Sequence, residues 1–456
     1  MNKAILTIAT AGTVLSLCAG VPAPQVSDVS MSQNAKGEAT VNYNLSAASA
    51  VITLDIQTNA TGDVWSSIGG KAISGAQGDV WKVVATGSRK IKWDATSNWA
   101  DHQIPASGIR AVVTAWALDN TPDYMAVDVS ELAQQNTQTY YPSADFVPGG
   151  VTNSLYKTTM LLMRKIMAKD VTWTMGSTTL EKARSGIETS HQVTLTNNYY
   201  IGVYEVTQSQ WDLIQPSRSV PSIFDNIAYR AMRPVEQVSY NEIRSAANST
   251  TADSSHDWPH PPNGNSFLGK LSTKTGIAFD LPSETQWEFA ARAGNGDTKF
   301  GDGSSILVES QGIDVVDANL NLLGRYRCNG GMVWNGTSYV NPQWSCGAEN
   351  GTAIVGSYAP NAWGLYDTAG NVWEWCLDWY DYYPEWNDRT VNIDPNDSTK
   401  SLSGKVGGEN GNRMMRGGGW NAPAYECRPA RRSGSSPSSR YVATCGFRVV
   451  CTAGLR

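Results

Sequence analysis

Two stretches decide the fold of this 456-residue chain: FDLPSETQWEFAARAG from Phe279 to Gly294, and NAWGLYDTAGNVWEWCLDWY from Asn361 to Tyr380. The first stretch predicts a helix, because Ser283 is a good N-cap and Gln286 stands three residues later, where it closes a capping box. Trp287 begins an apolar face at helical spacing. The second stretch carries four tryptophans, which are large apolar groups with one donor each and suit ordered loops. Together they predict a helix packed beside irregular, aromatic-rich backbone.

A second helix is predicted upstream of these stretches. Residues Thr207–Ile214 follow a short strand, Tyr199–Glu205, and carry Trp211 and Leu213 as apolar members. Long periodic segments are otherwise rare, and the chain contains 42 Gly and 17 Trp. We therefore expect residues 151–456 to form one α+β domain with little regular secondary structure.

The N-terminal part has a different pattern, made of short alternating or β-branched runs separated by turn residues. Several such runs predict a small all-β sandwich over residues 24–119. The polar stretch at 120–150, which ends in Pro-Gly-Gly, is predicted to be a linker. The predicted strands are Ala39–Leu45, Val51–Ile56, Val80–Val84, Lys90–Trp93 and Arg110–Trp116.

The first 23 residues have the pattern of an export signal. Lys3 supplies the positive start, Ala4–Gly20 the apolar stretch, and small residues follow as cleavage points. Cys18 would allow a lipid anchor, but Leu17 precedes it where lipoprotein signals usually carry a small residue. No later run reaches the ~20 apolar residues of a membrane-spanning helix. We expect an exported protein, periplasmic, secreted or on the cell surface, with no transmembrane segment in its mature form.

The charge balance argues against nucleic acid as a partner. The formal net charge is −6 at pH 7, and no run rich in Lys or Arg occurs. Binding to phosphate backbones depends on such basic patches. Nucleic acid is therefore not expected as a partner; we expect an unknown protein or glycan ligand.

At this point a family resemblance becomes specific. The chain resembles the formylglycine-generating enzyme (sulfatase-modifying factor) family in six segments that occur in the family's order across more than half of its length. The resemblance implies a C-type-lectin-like fold with low regular secondary structure, and it leaves the N-terminal ~150 residues outside. The segments are Met175–Ser177, Tyr199–Trp211, Arg233–Ile243, Phe279–Gly294, Asn361–Tyr380, and Arg416–Ser433 followed by Cys445–Val450.

The DTAGNVWE segment predicts a calcium site. Asp367 and Glu374 bracket a turn, so that carboxylate and carbonyl oxygens converge as Ca²⁺ prefers. In the family this segment binds calcium, and the matching positions also include Gly370 and Val372 through their backbone oxygens. A weaker second site maps onto Asn319 and Leu320. The alternative for the first site is a carboxylate that caps the turn without an ion.

The enzyme question depends on thiols. Oxidation of a substrate cysteine to formylglycine calls for a soft ligand pair that holds Cu(I), and active members of the family carry a Cys-x4-Cys pair after the RGG motif. Alignment of RPAR on the family's RCAAR places Ala424 and Pro429 at the two thiol positions. Cys427 is the only candidate thiol in between, and no Cys-x4-Cys occurs in the chain. The resemblance therefore favours the fold without copper as cofactor and without the oxidase activity.

Export affects the interpretation of the other cysteines, because an oxidising compartment permits disulfides. Six cysteines follow Cys18, and none forms a CxxC pair. Cys328–Cys346, which would close a Gly-rich loop, and Cys376–Cys427 are the predicted bridges. Sequence alone leaves the connectivity open.

Three glutamates, Glu205, Glu284 and Glu288, have the composition of an acid/base set. Arginines at 292, 416 and 448 are equally available to pair with them. Because the surrounding motifs are nearly uncharged, buried structural ion pairs are favoured over catalysis.

Two functions follow. In the first, the segment from Asn421 to Cys445 presents a ligand surface of small and polar side chains on fixed supports, similar to the variable region of retroelement-diversified proteins on this fold; an ordinary surface loop is the alternative. In the second, the protein is an oxidase of the family that converts a sulfatase cysteine to formylglycine. The predicted surface residues are Asn421, Ala424, Tyr425, Ser435, Ser436 and Tyr441.

Overall fold

The structure is a computed structural model of the chain. It describes residues 22–59, 64–99, 108–216, 220–245, 260–296, 298–380, 411–440 and 443–454, together with the backbone of residues 6–7. The apolar stretch of the predicted export signal lies, apart from that two-residue backbone, outside the described residues. No helix in the described part of the chain has the length and apolar character that a membrane crossing requires.

The chain divides into two compact units. The first contains Met1–Val127, Thr137–Asn153 and Ala453–Arg456, and the second contains Asp128–Asn136 and Ser154–Thr452.

The first unit is mostly β-structure, as predicted. Its strands are β1 Leu6–Thr7, β2 Gln25–Gln33, β3 Glu38–Ser46, β4 Ala50–Thr58, β5 Ser66–Ser67, β6 Gln77–Gly78, β7 Val83–Val84, β8 Gly87–Asp94, β9 Ile109–Trp116, β10 Tyr124–Asp128 and β11 Thr139–Tyr141. Strands β1-β2-β3-β8-β6 form one sheet, and β5-β4-β7 form another in which β9 pairs with β4. Side chains of β9 alternate between buried and half-buried along its whole length, the pattern of a strand with one face on a core. Two short helices, α1 Gly70–Ile73 and α2 Ala95–Asn98, accompany them.

The stretch at 120–150, predicted as a linker, contains the antiparallel pair β10–β11. Tyr124, Met125, Ala126 and Val127 are all buried. A linker would expose these apolar side chains, so the segment is part of a packed structure.

The second unit combines helices with small sheets. Its strands are β12 Met160–Ile166, β13 Val171–Met175, β14 His191–Leu195, β15 Tyr199–Gly202, β16 Phe279–Asp280, β17 Val333–Trp334, β18 Tyr339–Val340, β19 Trp373–Trp379, β20 Arg413–Arg416, β21 Arg432–Ser435, β22 Cys445–Gly446 and β23 Val450–Thr452. Its helices are α3 Gln208–Ile214, α4 Phe267–Thr275, α5 Glu284–Arg292 and α6 Leu320–Leu323. Single turns of 3₁₀ or π helix, including Ala424–Cys427, connect several of them. The fold is α+β with much ordered loop, as the sequence predicted.

Strand order places the C-terminal segments next to one another. β12, β15, β23 and β16 are successive neighbours in one sheet, and β21-β20-β19-β22 form a second. In the second sheet β20 pairs antiparallel and β22 parallel with opposite edges of β19. Trp373 and Glu374 of the DTAGNVWE motif thus begin β19, the strand that pairs with both C-terminal segments.

Both predicted helices are confirmed, with the predicted capping box at Ser283 and a second, unpredicted one at Thr207. Thr207 and Ser283 each accept a hydrogen bond from the backbone N–H three residues on, and Gln210 and Gln286 close the two capping boxes. Helix α4 was not predicted. Its first turn is capped by Ser266, but its apolar residues are few, so the helical period is faint.

Candidate functional site

A buried ion-pair network joins α5 to β20. The guanidinium of Arg416 pairs with Glu288 and lies 3.4 Å from Glu284, while Nε of Arg292 donates to Glu288 Oε1 at 2.8 Å. Arg432 donates to Glu284 at 2.6 Å. All five side chains are buried. Each carboxylate therefore faces guanidinium groups. The prediction of buried structural ion pairs is supported for Glu284 and Glu288.

The same arginines fix the segment that follows β20. Nη1 of Arg416 donates to the carbonyls of Ala430 and Arg431, each at 3.0 Å, and Nη2 donates to Pro429 O at 2.7 Å. Arg428 is fully buried and pairs with Glu181 at 2.7 Å and Glu188 at 2.8 Å. These contacts fix both the carbonyls and the side chain of Arg428, so the backbone of residues 428–432 is held by buried partners.

Glu426 and Ser433, on either side of this segment, line a cleft of about 420 Å³, called the C-terminal cleft below. Its lining comes from β19, β20, β21, β22 and the loops after β18 and β20. The lining residues are Asn341, Trp344, Trp373, Met415, Trp420, Asn421, Ala422, Pro423, Glu426, Ser433, Gly434, Ser435, Thr444 and Cys445.

The aromatic side of the cleft is assembled through Phe224. The Phe224 ring meets Trp344 edge-on at 5.6 Å and Trp420 edge-on at 5.1 Å. Trp420 is 1% exposed and donates its indole N–H to Ala443 O, whereas Trp344 is 39% exposed. The Trp420 indole is therefore fixed inside the protein, whereas the Trp344 indole is partly open to solvent.

The predicted ligand surface is only partly assembled here. Asn421 and Ser435 line the cleft. Tyr425 is half-buried and Ser436 is exposed, and neither is among the lining residues. Ala424 does not reach this surface, because its side chain is fully buried in the cluster of Phe300, Leu320 and Cys427. Tyr441 lies outside the described residues. Sequence reasoning missed Trp344 and Asn341, which come from a distant loop whose only signal was the mixture of aromatic and amide residues in VNPQWS, residues 340–345.

The cysteines after Cys18 are all free thiols, whereas the sequence predicts the bridges Cys328–Cys346 and Cys376–Cys427. Cys427 is fully buried, and burial raises the pKa of its thiol well above the ordinary value. Cys445 is the one thiol among the described lining residues. Its sulfur lies 3.3 Å from Met415 Sδ, and burial raises its pKa to about 12.

The residues five positions from Cys427 show whether it could belong to a Cys-x4-Cys pair. Five residues before Cys427 stands Ala422, and five residues after it stands Arg432. Whether Cys427 is taken as the first or the second member of a Cys-x4-Cys pair, its partner position holds no sulfur.

The first predicted calcium site lies in a buried acidic cluster formed by Glu205, Asp367 and Glu374. Burial raises the pKa of Asp367 to about 6, against the charges of Arg448 and Lys157 and a hydrogen bond from Gly356 N–H. Burial, with the charges of the other two carboxylates, also raises the pKa of Glu205 well above its ordinary value. Three carboxyl groups thus share one poorly solvated region.

The donors fit a cation unequally. Oδ1 of Asp367 is buried without a hydrogen-bond partner, which is the environment a cation would satisfy. Glu374 instead receives two hydrogen bonds from Arg448, at 2.6 and 2.7 Å, and one from Trp287 Nε1 at 2.9 Å. Asp367 therefore keeps one buried oxygen without a partner, whereas Glu374 is already neutralised by a guanidinium.

The weaker predicted site, at Asn319 and Leu320, belongs to a loop organised by Asp317. Asp317 Oδ1 accepts the N–H groups of both residues, and Oδ2 accepts those of Leu307 and Val308. The loop is thus ordered by backbone N–H groups around one carboxylate. Within the described residues no group of three or more His, Cys, Asp or Glu side chains has the arrangement of a metal site.

Comparison with known proteins identifies the second unit. Residues 156–453 match the sulfatase-modifying factor enzyme 1-like domain. The chain is 33% identical to the formylglycine-generating enzyme of Thermomonospora curvata over 196 residues, covering 41% of this chain and 54% of that protein. It is 35% identical to that of Streptomyces coelicolor over 184 residues, covering 38% and 47%. The matched part thus spans about half the length of these curated relatives.

Among solved structures, Treponema denticola variable protein 1 is similar at 24% identity with a TM-score of 0.42, covering 64% of this chain and 96% of that one. The family match itself extends over more than half of the chain. On that match, the chain belongs to the family of sulfatase-modifying factor enzyme 1-like domains.

Proposed function

We propose that this protein is an exported binding module, stabilised by calcium, in which the family fold presents the C-terminal cleft to a ligand without copper oxidase activity. The observation that carries the proposal is the state of the thiols. Cys427 is buried among apolar side chains with its pKa raised, and residues 422, 424, 429 and 432 around it carry no sulfur.

A single buried thiol is a poor copper site. Cu(I) is selected by thiolate and thioether ligands, and a thiol that is desolvated in an apolar cluster resists the deprotonation that such binding needs. Cys445 and Met415 do bring two sulfur atoms together at the cleft, but Cys445 is also held protonated by burial.

The fixed surroundings of the cleft support a binding role. Buried ion pairs hold residues 428–432, between the lining residues Glu426 and Ser433, and the cleft contains side-chain amides, hydroxyls and an exposed indole. Small, mostly preformed clefts with a few convergent polar groups are typical of ligand sites. Export is part of the proposal because the first residues have a basic start and an apolar stretch.

Calcium enters the proposal at Asp367. This carboxylate would hold the ion, with backbone oxygens of Gly370 and Val372 beside it, and the ion would offset negative charge that the fold otherwise leaves unpaired. It would support the fold rather than a reaction.

Incubation with copper, oxygen and a cysteine-containing sulfatase peptide tests the proposal. We expect mass spectrometry to show the peptide with its thiol intact, while the formylglycine-generating enzyme of Thermomonospora curvata, run in parallel, produces the aldehyde. Aldehyde formation that is lost in Cys427→Ser would replace the proposal with the alternative, an oxidase that converts a sulfatase cysteine to formylglycine. Under the binding proposal, Cys427→Ser changes stability only.

A further inference from the structure

The C-terminal cleft has a lining that selects against charged ligands. Among its described lining residues none is Lys, Arg or His, and Glu426 is the only carboxylate. That carboxylate accepts a hydrogen bond from Arg431 Nη2 at 3.3 Å, so its charge is partly balanced outside the cleft. Phosphate, sulfate and carboxylate ligands are normally bound by guanidinium or ammonium groups. The cleft lacks them.

The remaining polar groups are neutral and of mixed hydrogen-bonding character. Side-chain amides come from Asn341 and Asn421, and hydroxyls from Ser433, Ser435 and Thr444. Amides donate and accept at once, and hydroxyls rotate to do either. A ligand with many hydroxyl groups, each also both donor and acceptor, matches this set.

Trp344 adds a flat apolar face at the rim. Its ring is 39% exposed and is held edge-on by Phe224, which in turn rests on the buried ring of Trp420. The C–H face of a sugar ring is flat and apolar in the same way, so it can cover an indole while its hydroxyls reach outward. An exposed indole beside neutral hydrogen-bonding groups thus offers both kinds of contact a sugar makes.

The loop that carries Trp344 is also fixed in place. Arg233, which is fully buried, donates to the carbonyls of Gly347 at 2.5 Å and Asn350 at 3.1 Å. Arg325 donates to Ala348 O and Glu349 O in the same loop. Because these bonds hold the loop to the rest of the protein, little ordering is needed on binding, which favours affinity.

From these features we infer that the C-terminal cleft binds an uncharged oligosaccharide, with one sugar ring stacked on Trp344 and its hydroxyls bonded by Asn341 and Asn421. This inference rests on the proposed binding function and names its ligand class. The cleft volume, about 420 Å³, lies within the range of about 300–1,000 Å³ usual for small-molecule sites.

Isothermal titration of the full chain tests the inference with two sets of probes. The neutral set is cellotetraose, chitotetraose, laminaritetraose and mannotetraose, and the acidic set is sialyllactose and a heparin tetrasaccharide. We expect at least one neutral probe to bind and the acidic probes to bind at least tenfold more weakly. Absence of binding by the whole neutral set, or equal binding of the acidic set, would overturn the inference.

Two tryptophan variants locate the binding. Trp344→Ala is expected to weaken the neutral probe by roughly tenfold or more, which corresponds to about 1.4 kcal/mol. Trp334→Ala is the matched control, because Trp334 is 53% exposed, packs against Tyr339 with its ring tilted, and does not line the cleft. Equal weakening by both variants, or none by Trp344→Ala, would refute the stacking. Failure here leaves the peptide oxidation result untouched, so the two proposals fail separately.

Discussion

At the scale of single residues, Glu236 is a buried carboxyl group without an arginine partner of its own. Its Oε1 accepts the N–H groups of Ile223 and Phe224, at 2.8 and 3.1 Å, while its buried Oε2 has no hydrogen-bond partner. Burial raises its pKa from 4.5 to about 7. A carboxyl whose pKa is raised by folding contributes stability below the unfolded value, and that contribution is lost as the pH rises through the folded value.

We therefore expect Glu236→Gln to flatten the pH profile of stability. Between pH 4.5 and 8 the natural protein should lose on the order of 3 kcal/mol relative to the variant, since each pKa unit corresponds to about 1.4 kcal/mol. Urea unfolding midpoints at four pH values measure this, and Glu131→Gln, at an exposed site, gives the background. Parallel profiles of the natural protein and Glu236→Gln would contradict the expectation.

Residue identities predicted the arginine–glutamate pairing but not all of its partners. Glu288 pairs with Arg292 and Arg416 as the sequence allowed, whereas Arg448 pairs with Glu374, which had been assigned to calcium. Glu205 is bonded instead by Asn371 Nδ2 and Val372 N–H. Partner choice depends on where strands bring side chains together in space, and charge type alone does not contain that information.

At the scale of elements, α5 is the helix whose start the sequence predicts most fully. Ser283 accepts from Gln286 N–H and Gln286 Oε1 accepts from Ser283 N–H, at 3.1 and 3.0 Å. Both halves of this box are local, so they were predictable. Helix α4 was not predicted because its caps, Ser266 and Gly276, flank only a faint apolar period. Cleft residues such as Trp344 were missed because tertiary contacts, through Phe224, place them.

We expect Ser283→Ala to cost about 1 kcal/mol of folding free energy, within the range of 0.5–2 kcal/mol for lost N-caps. The double change Ser283→Ala with Gln286→Ala should cost less than the sum of the single changes, because the two residues share one box. Chemical denaturation of the four proteins measures the coupling. Ser436→Ala, in an exposed turn, is the control and should stay within about 0.5 kcal/mol. Strict additivity would show that the box contributes nothing as a unit.

At the scale of the whole molecule, the division into an all-β first unit and an α+β second unit follows from the change of pattern along the chain. What the pattern could not give is the path of the chain, since the first unit also takes Thr137–Asn153 and Ala453–Arg456. Short segments that return to an earlier unit have no composition of their own. The family match, which begins at residue 156, concerns the second unit alone.

The second unit has little regular secondary structure around Asp367. We therefore expect a cation bound there to change the Tm of the whole chain. We expect calcium to raise the Tm of EDTA-dialysed protein, because a ligand that binds only the folded state stabilises it, by about 2.7 kcal/mol at a hundredfold excess over Kd. Asp367 has φ +56°, a left-handed conformation that Asn also tolerates. Asp367→Asn therefore removes the charge with little backbone strain, and it should abolish most of the rise.

Magnesium, which requires a tighter octahedral site, should raise the Tm less. A calcium-dependent rise that survives in Asp367→Asn would place the ion elsewhere, and no rise in the natural protein would leave Asp367 as a turn-capping carboxylate bonded by Gly356 N–H.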